Sequence, residues 1–221
     1  MRRLTTILLT GFGPFPGMPE NASALLVPKL AHLVARRFHG HRVVARILPT
    51  EWEAGPARLA AHYLREKPGL ALHFGVSERA KGFVIETLAR NARRFAADAA
   101  GASPPSPCIL KDGPATLKAR LPADDIVARL DALGIPACLS GDAGDYLCNS
   151  ILYHALMLAE KRPAPTAVGF IHIPSSLVPR NERTTARSSK CALDWESALL
   201  GGLEIVRVCL GRPPSTRVKA R

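Results

Sequence analysis

The sequence predicts an α/β fold in which a mixed, mostly parallel β-sheet lies between helices on both of its faces. Short apolar runs rich in β-branched residues alternate along the chain with longer segments whose apolar residues recur at helical spacing. This alternation is typical of parallel sheets, because the connection between two parallel strands is usually a helix that packs on the sheet.

The elements follow from this pattern in chain order. The predicted strands are residues 5–9, 42–48, 70–76, 83–88, 137–139 and 168–173. The predicted helices are residues 22–38, 54–67, 123–133, 146–160 and 191–210. Only a few residues separate the strands at 70–76 and 83–88, which allows an antiparallel pair and favours a mixed sheet. Segments 96–114 and 174–189 are predicted to be loops.

No internal repeat interrupts this order, and we expect a single domain over residues 1–211. Residues 212–221 include Pro213, Pro214 and several basic residues, and they are predicted to form a basic, flexible tail. With 47% apolar residues, the chain is able to bury a substantial core. Aromatic residues make up only 5%, so this core must consist mainly of Leu, Ile, Val and Ala.

The net charge of +12 raises the question of a nucleic-acid partner. The basic residues are dispersed, however, and the sequence contains neither an aromatic-interleaved basic strand nor a helix-turn-helix pattern. We therefore interpret the charge as a solvated basic surface and predict no nucleic-acid binding.

Cysteine usage and hydropathy predict a cytoplasmic protein. The number of cysteines, five, is odd and the sequence contains no CxxC motif, so a disulfide framework is not expected. The apolar run at 4–10 is short and leads into a GFGPF segment without a cleavage site, which favours a first strand over a signal peptide. No apolar stretch is long enough for a membrane helix. His39 and His41 lack a third ligand, so neither a metal nor another cofactor is predicted.

Cys148 is the strongest candidate for a nucleophile. It follows a turn of small residues at 141–144, and apolar residues after it recur at helical spacing. Asp145 is a plausible N-cap, which places Cys148 in the first helical turn. The positive end of a helix favours a thiolate, and its free N–H groups bind an oxyanion. The alternative is that Cys148 fills the core, as free cysteines usually do.

Two further polar residues stand within apolar strands near strand ends, where the loops of an α/β sheet converge. His172 is a candidate acid and base, with His73 as its rival, although a histidine in such a strand is often a satisfied core residue. Glu86 needs a partner, because a buried carboxylate is costly when it is unpaired. It is suited to orient a histidine, and Asp142 and Asp145 compete for that role.

Four segments in this order resemble the signatures of pyroglutamyl peptidases, also called pyrrolidone-carboxylate peptidases. They are TGFGPF with ENAS at residues 10–23, HFGVS at 73–77 with Glu86 and Asn91 downstream, SGDAGDYLCN at 140–149, and GFIHIP at 169–174. The resemblance spans nearly the whole chain, and four motifs in the right order make it specific.

The resemblance implies a three-layer α/β/α sandwich of the phosphorylase/hydrolase type, a metal-independent enzyme and a homo-oligomer. It implies a cysteine peptidase that hydrolyses the amide bond after an N-terminal pyroglutamyl residue through a thioester. Cys148 would be the nucleophile, His172 the acid and base, and Glu86 its orienting partner. The residues implied at or beside the lactam-ring pocket are Phe12, Phe15, Tyr146 and His73. For Phe12 and Phe15, the alternative is that they plug the core of a Gly/Pro-rich turn.

The sequence also departs from the family pattern. VSE at 76–78 replaces a Gly-Gly-Arg turn of bacterial members, and Ala96 stands where some members have an arginine, for which Arg93 or Arg94 is a possible substitute. The segment 175–190 is unusually rich in arginine. These departures keep two alternatives open, namely a thiol amidohydrolase acting on another small cyclic or blocked amide, and a catalytically silent basic protein that binds nucleic acid.

Overall fold

The computed structural model of the chain describes residues 5–177 and 192–211. The strands are β1 (Thr5–Phe12), β2 (His41–Leu48), β3 (Leu70–Ser77), β4 (Phe83–Glu86), β5 (Leu88–Arg90), β6 (Thr116–Lys118), β7 (Ala137–Ser140) and β8 (Ala167–Pro174). The helices are α1 (Ala22–Arg37), α2 (Ala54–Glu66), α3 (Ala123–Asp131), α4 (Leu147–Glu160) and α5 (Trp195–Cys209).

A six-stranded mixed sheet in the order β2-β1-β3-β8-β4-β7 forms the middle layer. Neighbouring strands are parallel except at β4, which runs antiparallel to β8 and parallel to β7. The mixed, mostly parallel sheet is thereby confirmed. The suggested antiparallel pairing of β3 with β4 is wrong, because the eight-residue strand β8 pairs with β3 along its whole length and separates it from β4.

Side chains alternate between the two faces of this sheet, as the period of a strand requires. Ile7 and Leu9 belong to a core that also contains buried residues of α1, α3 and α5. Leu8 and Phe12 belong to a second core with buried residues of α2 and α4. The three-layer sandwich follows from these two cores. On β8, Val168 and Phe170 lie in the second core, so His172 faces the α2/α4 side as well.

The elements differ from the predicted ones mainly where they are short. The strand predicted at 83–88 is divided into β4 and β5 at Thr87, whose N–H and hydroxyl both donate to the Ser140 carbonyl. β6 was not predicted, because three residues are too few to show periodicity. The predicted loop at 96–114 contains no helix or strand. Most of the loop predicted at 174–189 and the tail at 212–221 lie outside the described residues.

In the two described ranges, no helix has both the length and the apolar character that a bilayer-spanning segment requires. Several basic side chains serve ion pairs between elements. The buried carboxylate of Glu66 accepts hydrogen bonds from Arg42, Arg46 and Arg65, which ties α2 to the edge strand β2. Burial raises the pKa of Glu66, but the arginines outweigh it and the pKa is lowered overall.

Candidate active site

The structure places Cys148 at the second position of α4, beside Gly75 on the interior strand β3. Tyr146 is the N-cap residue, with an extended backbone and no capping hydrogen bond from its side chain. The N-cap predicted at Asp145 is therefore wrong. The Asp145 carboxylate lies 3.6 Å from Arg94 Nε. The first N–H groups of a helix have no intrahelical acceptor, so those of this turn are suited to bind a negatively charged oxygen.

Asn149 holds the start of α4 in place. Its side chain is fully buried; it accepts a hydrogen bond from Arg90 N at 2.8 Å and donates to the carbonyls of Arg90 and Ala92 at 2.8 and 3.0 Å. The residue next to Cys148 is thus clamped to β5. Sequence reasoning missed this role, because the partners of the amide, Arg90 and Ala92, lie far from Asn149 in the chain.

The sulfur of Cys148 lies close to the backbone of Gly75. A Cβ placed on Gly75 would be 3.0 Å from Cys148 Sγ and 2.7 Å from the ring of Phe170. Because Gly75 is paired with His172 in the β3–β8 register, the sulfur lies beside the strand pair that carries the histidine. Glycine at this position is what allows the thiol to approach the sheet.

His172 connects the thiol with the carboxylate. Its Nδ1 lies 2.8 Å from Glu86 Oε1, and the sulfur of Cys148 lies beside Gly75, the residue paired with His172 in the β3–β8 register. Burial by itself lowers the pKa of His172, but the charges and hydrogen bonds of Cys148 and Glu86 outweigh it and raise the pKa to about 10. Its surroundings therefore favour the protonated form of the imidazole.

Glu86 is almost completely buried, with 1% of the residue exposed. Its Oε1 interacts with His172, whereas Oε2 has no hydrogen-bond partner among the described residues. The two competing carboxylates have other partners. Asp142 pairs with Arg90, and Asp145 pairs with Arg94. The structure thus brings Cys148, His172 and Glu86 together in one line of contacts.

A group of aromatic rings adjoins the start of α4. The Phe15 and Tyr146 ring centroids are 6.3 Å apart, and Trp52 meets Tyr146 edge-on at 5.0 Å. Phe15 and Tyr146 are partly exposed, whereas Phe12 is buried and packs against Phe170 at 6.0 Å. Phe15 and Tyr146 therefore expose part of their ring surface, whereas Phe12 belongs to the core. Sequence reasoning did not single out Trp52.

The loop that carries Phe15 is anchored to the start of α1. Phe12 N donates to Ser23 Oγ at 3.0 Å, and Asn21 Nδ2 donates to the Gly13 carbonyl at 3.1 Å. A Cβ on Gly11 would lie 2.5 Å from the Ser23 carbonyl oxygen, so the close approach of strand and helix requires glycine there. The TGFGPF and ENAS segments are thus parts of one interlocked turn.

His73 occupies a different environment from His172. Its ring is fully buried, with Nδ1 2.7 Å from Thr10 Oγ1 and Nε2 3.4 Å from the Tyr63 hydroxyl. Burial lowers the pKa of His73 to about 3. Thr10 and Tyr63 engage both ring nitrogens, so these contacts favour His172 over His73 as the acid and base. The same contacts do not support a direct contact of His73 with a substrate.

Within residues 5–177 and 192–211, no group of three or more His, Cys, Asp or Glu side chains is placed to hold a metal ion. His41 directs its Nδ1 toward the Thr5 carbonyl oxygen at 3.3 Å. The functional groups that the site itself offers are a thiol, an imidazole and a carboxylate.

Sequence and structure comparisons point in one direction. A family model described as pyroglutamyl peptidase matches residues 5–201. A pyrrolidone-carboxylate peptidase of Cupriavidus pinatubonensis is 34% identical over 221 residues, covering 99% of this chain and 97% of the relative. One of Oceanobacillus iheyensis is 33% identical over 170 residues, covering 77% and 84%.

Solved structures agree with these relatives. A mutant pyrrolidone carboxyl peptidase (E192A) of Pyrococcus furiosus superposes with a TM-score of 0.81 at 27% identity, covering 93% of this chain and 98% of the other. Pyroglutamyl peptidase I of Bacillus amyloliquefaciens gives a TM-score of 0.81 at 25% identity, covering 94% and 98%. The fold found here is therefore the fold of those enzymes.

Proposed function

The chain belongs to the pyroglutamyl peptidase family, and on that premise we propose that it hydrolyses the amide bond that follows an N-terminal pyroglutamyl residue. The observation that carries the proposal is the line of contacts from Cys148 through His172 to Glu86. A thiol beside a cationic imidazole, itself paired with a buried carboxylate, is the arrangement that activates a cysteine nucleophile.

In the proposed first step, the Cys148 thiolate attacks the carbonyl carbon of pyroglutamate. The N–H groups in the first turn of α4 stabilise the negative charge that develops on the carbonyl oxygen. His172 transfers its proton to the departing peptide amine as the C–N bond breaks, which leaves a thioester on Cys148.

In the second step, His172 accepts a proton from water, which attacks the thioester. The C–S bond breaks, free pyroglutamate leaves, and the proton on His172 again faces the thiolate. Glu86 keeps the imidazole in one orientation throughout and favours its cationic form. Its charge also explains how a mostly buried histidine retains a proton.

The proposed substrate suits the aromatic rings beside Cys148. A pyroglutamyl residue is a neutral five-membered lactam without a free α-amine, so its pocket needs flat apolar walls rather than an acidic anchor. Phe15 and Tyr146 are proposed to contact the lactam ring directly. The buried Phe12 is proposed to form the base of the same pocket. Hydrogen bonds to the lactam would reject ordinary N-termini, because buried polar groups left unmatched cost roughly 1–3 kcal/mol each.

Three further properties belong to the proposal. Free thiols at Cys108, Cys138, Cys148 and Cys209 fit a reducing cytoplasm. A homo-oligomer is supported by Leu139, which is 42% exposed on the edge strand β7. Arg42, Arg46 and Arg65 form ion pairs with Glu66. These pairs support the proposal that the basic residues stabilise the fold and do not bind nucleic acid.

The test is hydrolysis of a fluorogenic pyroglutamyl amide by the wild type, Cys148→Ala and the matched control Cys138→Ala. We expect Cys148→Ala to abolish turnover without changing the circular dichroism spectrum, and Cys138→Ala to retain it. Prolyl and glutamyl amides should be poor substrates. Preferential turnover of another blocked amide would favour a related amidohydrolase, and the absence of any thiol-dependent hydrolysis would favour a silent binding protein.

A further inference from the structure

The eight-residue strand β2 forms one outer edge of the six-stranded sheet. It pairs with β1 along its length, and in the described part of the chain no strand pairs with its other side. The Leu48 carbonyl accepts a hydrogen bond from Gly13 N, so the backbone groups of Leu48 face β1. Because successive residues of a strand direct their N–H and C=O groups to opposite sides, those of Val43, Ala45 and Ile47 face outward. Such an edge is able to pair with a further extended chain.

Arginines lie beside this edge, on the side of the sheet that α2 covers. Arg42 and Arg46 of β2 and Arg65 of α2 all donate to the carboxylate of Glu66. Arg58 is exposed on the same face of α2 as Arg65, since it precedes Arg65 by about two helical turns. Within residues 5–177 and 192–211, Glu66 is the one acidic side chain that pairs with any of these arginines. Positive charge therefore exceeds negative charge along this edge.

The excess charge is accessible from outside. The side chains of Arg42 and Arg65 are 59% and 60% exposed, although both contact Glu66. A guanidinium has several N–H donors, so each of the two retains donors for a second acceptor. Burial, followed by the charges of Arg46 and Arg65, lowers the pKa of the neighbouring His62. This ring therefore adds no positive charge of its own near pH 7, and the arginines supply the charge that a partner would meet.

The strand edge and the charge together select the chemistry of the partner. Outward N–H and C=O groups at alternate residues match the backbone of an extended peptide, and a nucleic acid has no such backbone. Guanidinium groups bind carboxylates with charge-assisted hydrogen bonds. A second copy of this chain that presented the same edge would bring arginines against arginines, so charge opposes self-pairing. An acidic segment of another protein fits both features.

We propose that the outer edge of β2, from Arg42 to Leu48, binds an extended acidic segment of a partner protein as an additional strand, whose carboxylates accept hydrogen bonds from the arginines beside that edge. Arg46 Nη1 donates to the outward Ala45 carbonyl at 2.8 Å, and an N–H of the added strand would take over that acceptor. The proposal does not depend on the peptidase assignment, because every readout below measures binding rather than turnover.

The test uses a short blocked peptide in which Glu alternates with Thr, and a counterpart in which Lys replaces every Glu. Binding is measured by calorimetry on the full chain. We expect saturable binding of the Glu peptide that weakens as the salt concentration rises, and no binding of the Lys peptide. Failure of the Glu peptide to bind, or equal binding of both peptides, would overturn the proposal.

Charge reversal at Arg58 tests the position of the bound peptide. Arg58 takes no part in the ion pairs of Glu66, so its replacement leaves that buried carboxylate paired. Arg58→Glu should weaken binding of the Glu peptide by roughly tenfold, because a repulsion replaces an attraction. The matched control Arg36→Glu changes the net charge equally but lies on α1, on the other face of the sheet, and should leave binding unchanged. Equal effects of the two reversals would show general attraction to a basic protein and contradict a site at β2.

Backbone N-methylation of the Glu peptide tests the strand geometry. One alternate set of N–H groups in an added strand faces β2 and the other faces water, so methylation of one set should abolish binding and methylation of the other should not. Equal effects of the two sets would exclude an added strand. A single-stranded DNA oligonucleotide is the last comparison. Tighter binding of the oligonucleotide than of the Glu peptide, weakened by Arg58→Glu, would assign these arginines to nucleic acid and overturn the proposal.

Discussion

His172 and Glu86 lie on adjacent antiparallel strands, and Nδ1 of the imidazole is 2.8 Å from Oε1 of the carboxylate. They are diagonal neighbours, since His172 is paired with Val84 and Glu86 with Phe170. Diagonal neighbours on one face of an antiparallel pair are within reach of long side chains. The reversal of β4 relative to β8 therefore builds the carboxylate–imidazole pair directly into the sheet.

Removing the charge of Glu86 while keeping its side-chain volume should show how much its negative charge contributes to activity. Glu86→Gln retains the side-chain volume but no longer stabilises the imidazolium, so the pKa of His172 should fall. We expect kcat/KM to decrease by roughly 100-fold or more and the alkaline limb of its pH profile to move to lower pH. Glu160→Gln, which removes an exposed carboxylate paired with Arg120, should alter neither. An unshifted limb in Glu86→Gln would contradict the proposed pairing.

Gly75→Ala should disable the site by steric contact alone. Its Cβ would lie 3.0 Å from Cys148 Sγ and 2.7 Å from the Phe170 ring, so the sulfur must move relative to His172. We expect a loss of about 100-fold in kcat/KM and about 1–3 kcal/mol of stability, measured by kinetics and denaturant unfolding. Gly40→Ala is the control, because a Cβ there meets no atom within 4 Å. Wild-type kinetics for Gly75→Ala would disprove the close approach.

The buried His73 should make stability depend on acid pH. Its pKa is lowered to about 3 in the folded protein, whereas an unfolded histidine titrates near 6.5. The unfolded state therefore binds the proton first, and this contribution to stability is lost as the pH falls from about 6.5 towards 3. The expected slope is about 1.4 kcal/mol per pH unit from this residue.

Urea unfolding at several pH values between 7 and 5 would measure that slope. His73→Gln should reduce it by the contribution of one proton. Thr10→Val keeps the buried ring but removes its hydroxyl partner, so it should lower stability at every pH with little change of slope. An equal slope in His73→Gln and the wild type would show that the ring is not held neutral.

Thiol reagents should distinguish Cys148 from Cys209, the partly buried cysteine at the end of α5. Burial raises the pKa of Cys209 to about 12, which makes its thiolate scarce at neutral pH. We expect iodoacetamide to label Cys148 before Cys209 and to inactivate the enzyme in proportion to that label, as followed by mass spectrometry. EDTA should leave activity unchanged. Inactivation by EDTA alone would indicate a metal enzyme, and labelling without inactivation would exclude Cys148 as nucleophile.

The sequence alone indicated the candidate site residues but not the contacts that hold them in place. Cys148, His172 and Glu86 were recognisable because each is a reactive group in or beside an apolar run near a strand end, and local pattern is sufficient for that. The partner of β4 was predicted wrongly, because strand order depends on long-range pairing that local periodicity does not contain. The roles of Gly75 and Asn149 were missed for the same reason, since their contacts lie far away in the chain.

The clamp on Asn149 has a consequence for how the molecule loses function. His172 and Glu86 lie on strands of the sheet, whereas the position of Cys148 depends on the position of the first turn of α4. Three hydrogen bonds of the Asn149 side-chain amide fix that turn. Partial release of this helix end would withdraw the nucleophile while leaving the strands intact. Activity is therefore expected to fall when this helix end loosens, before the global fold is lost.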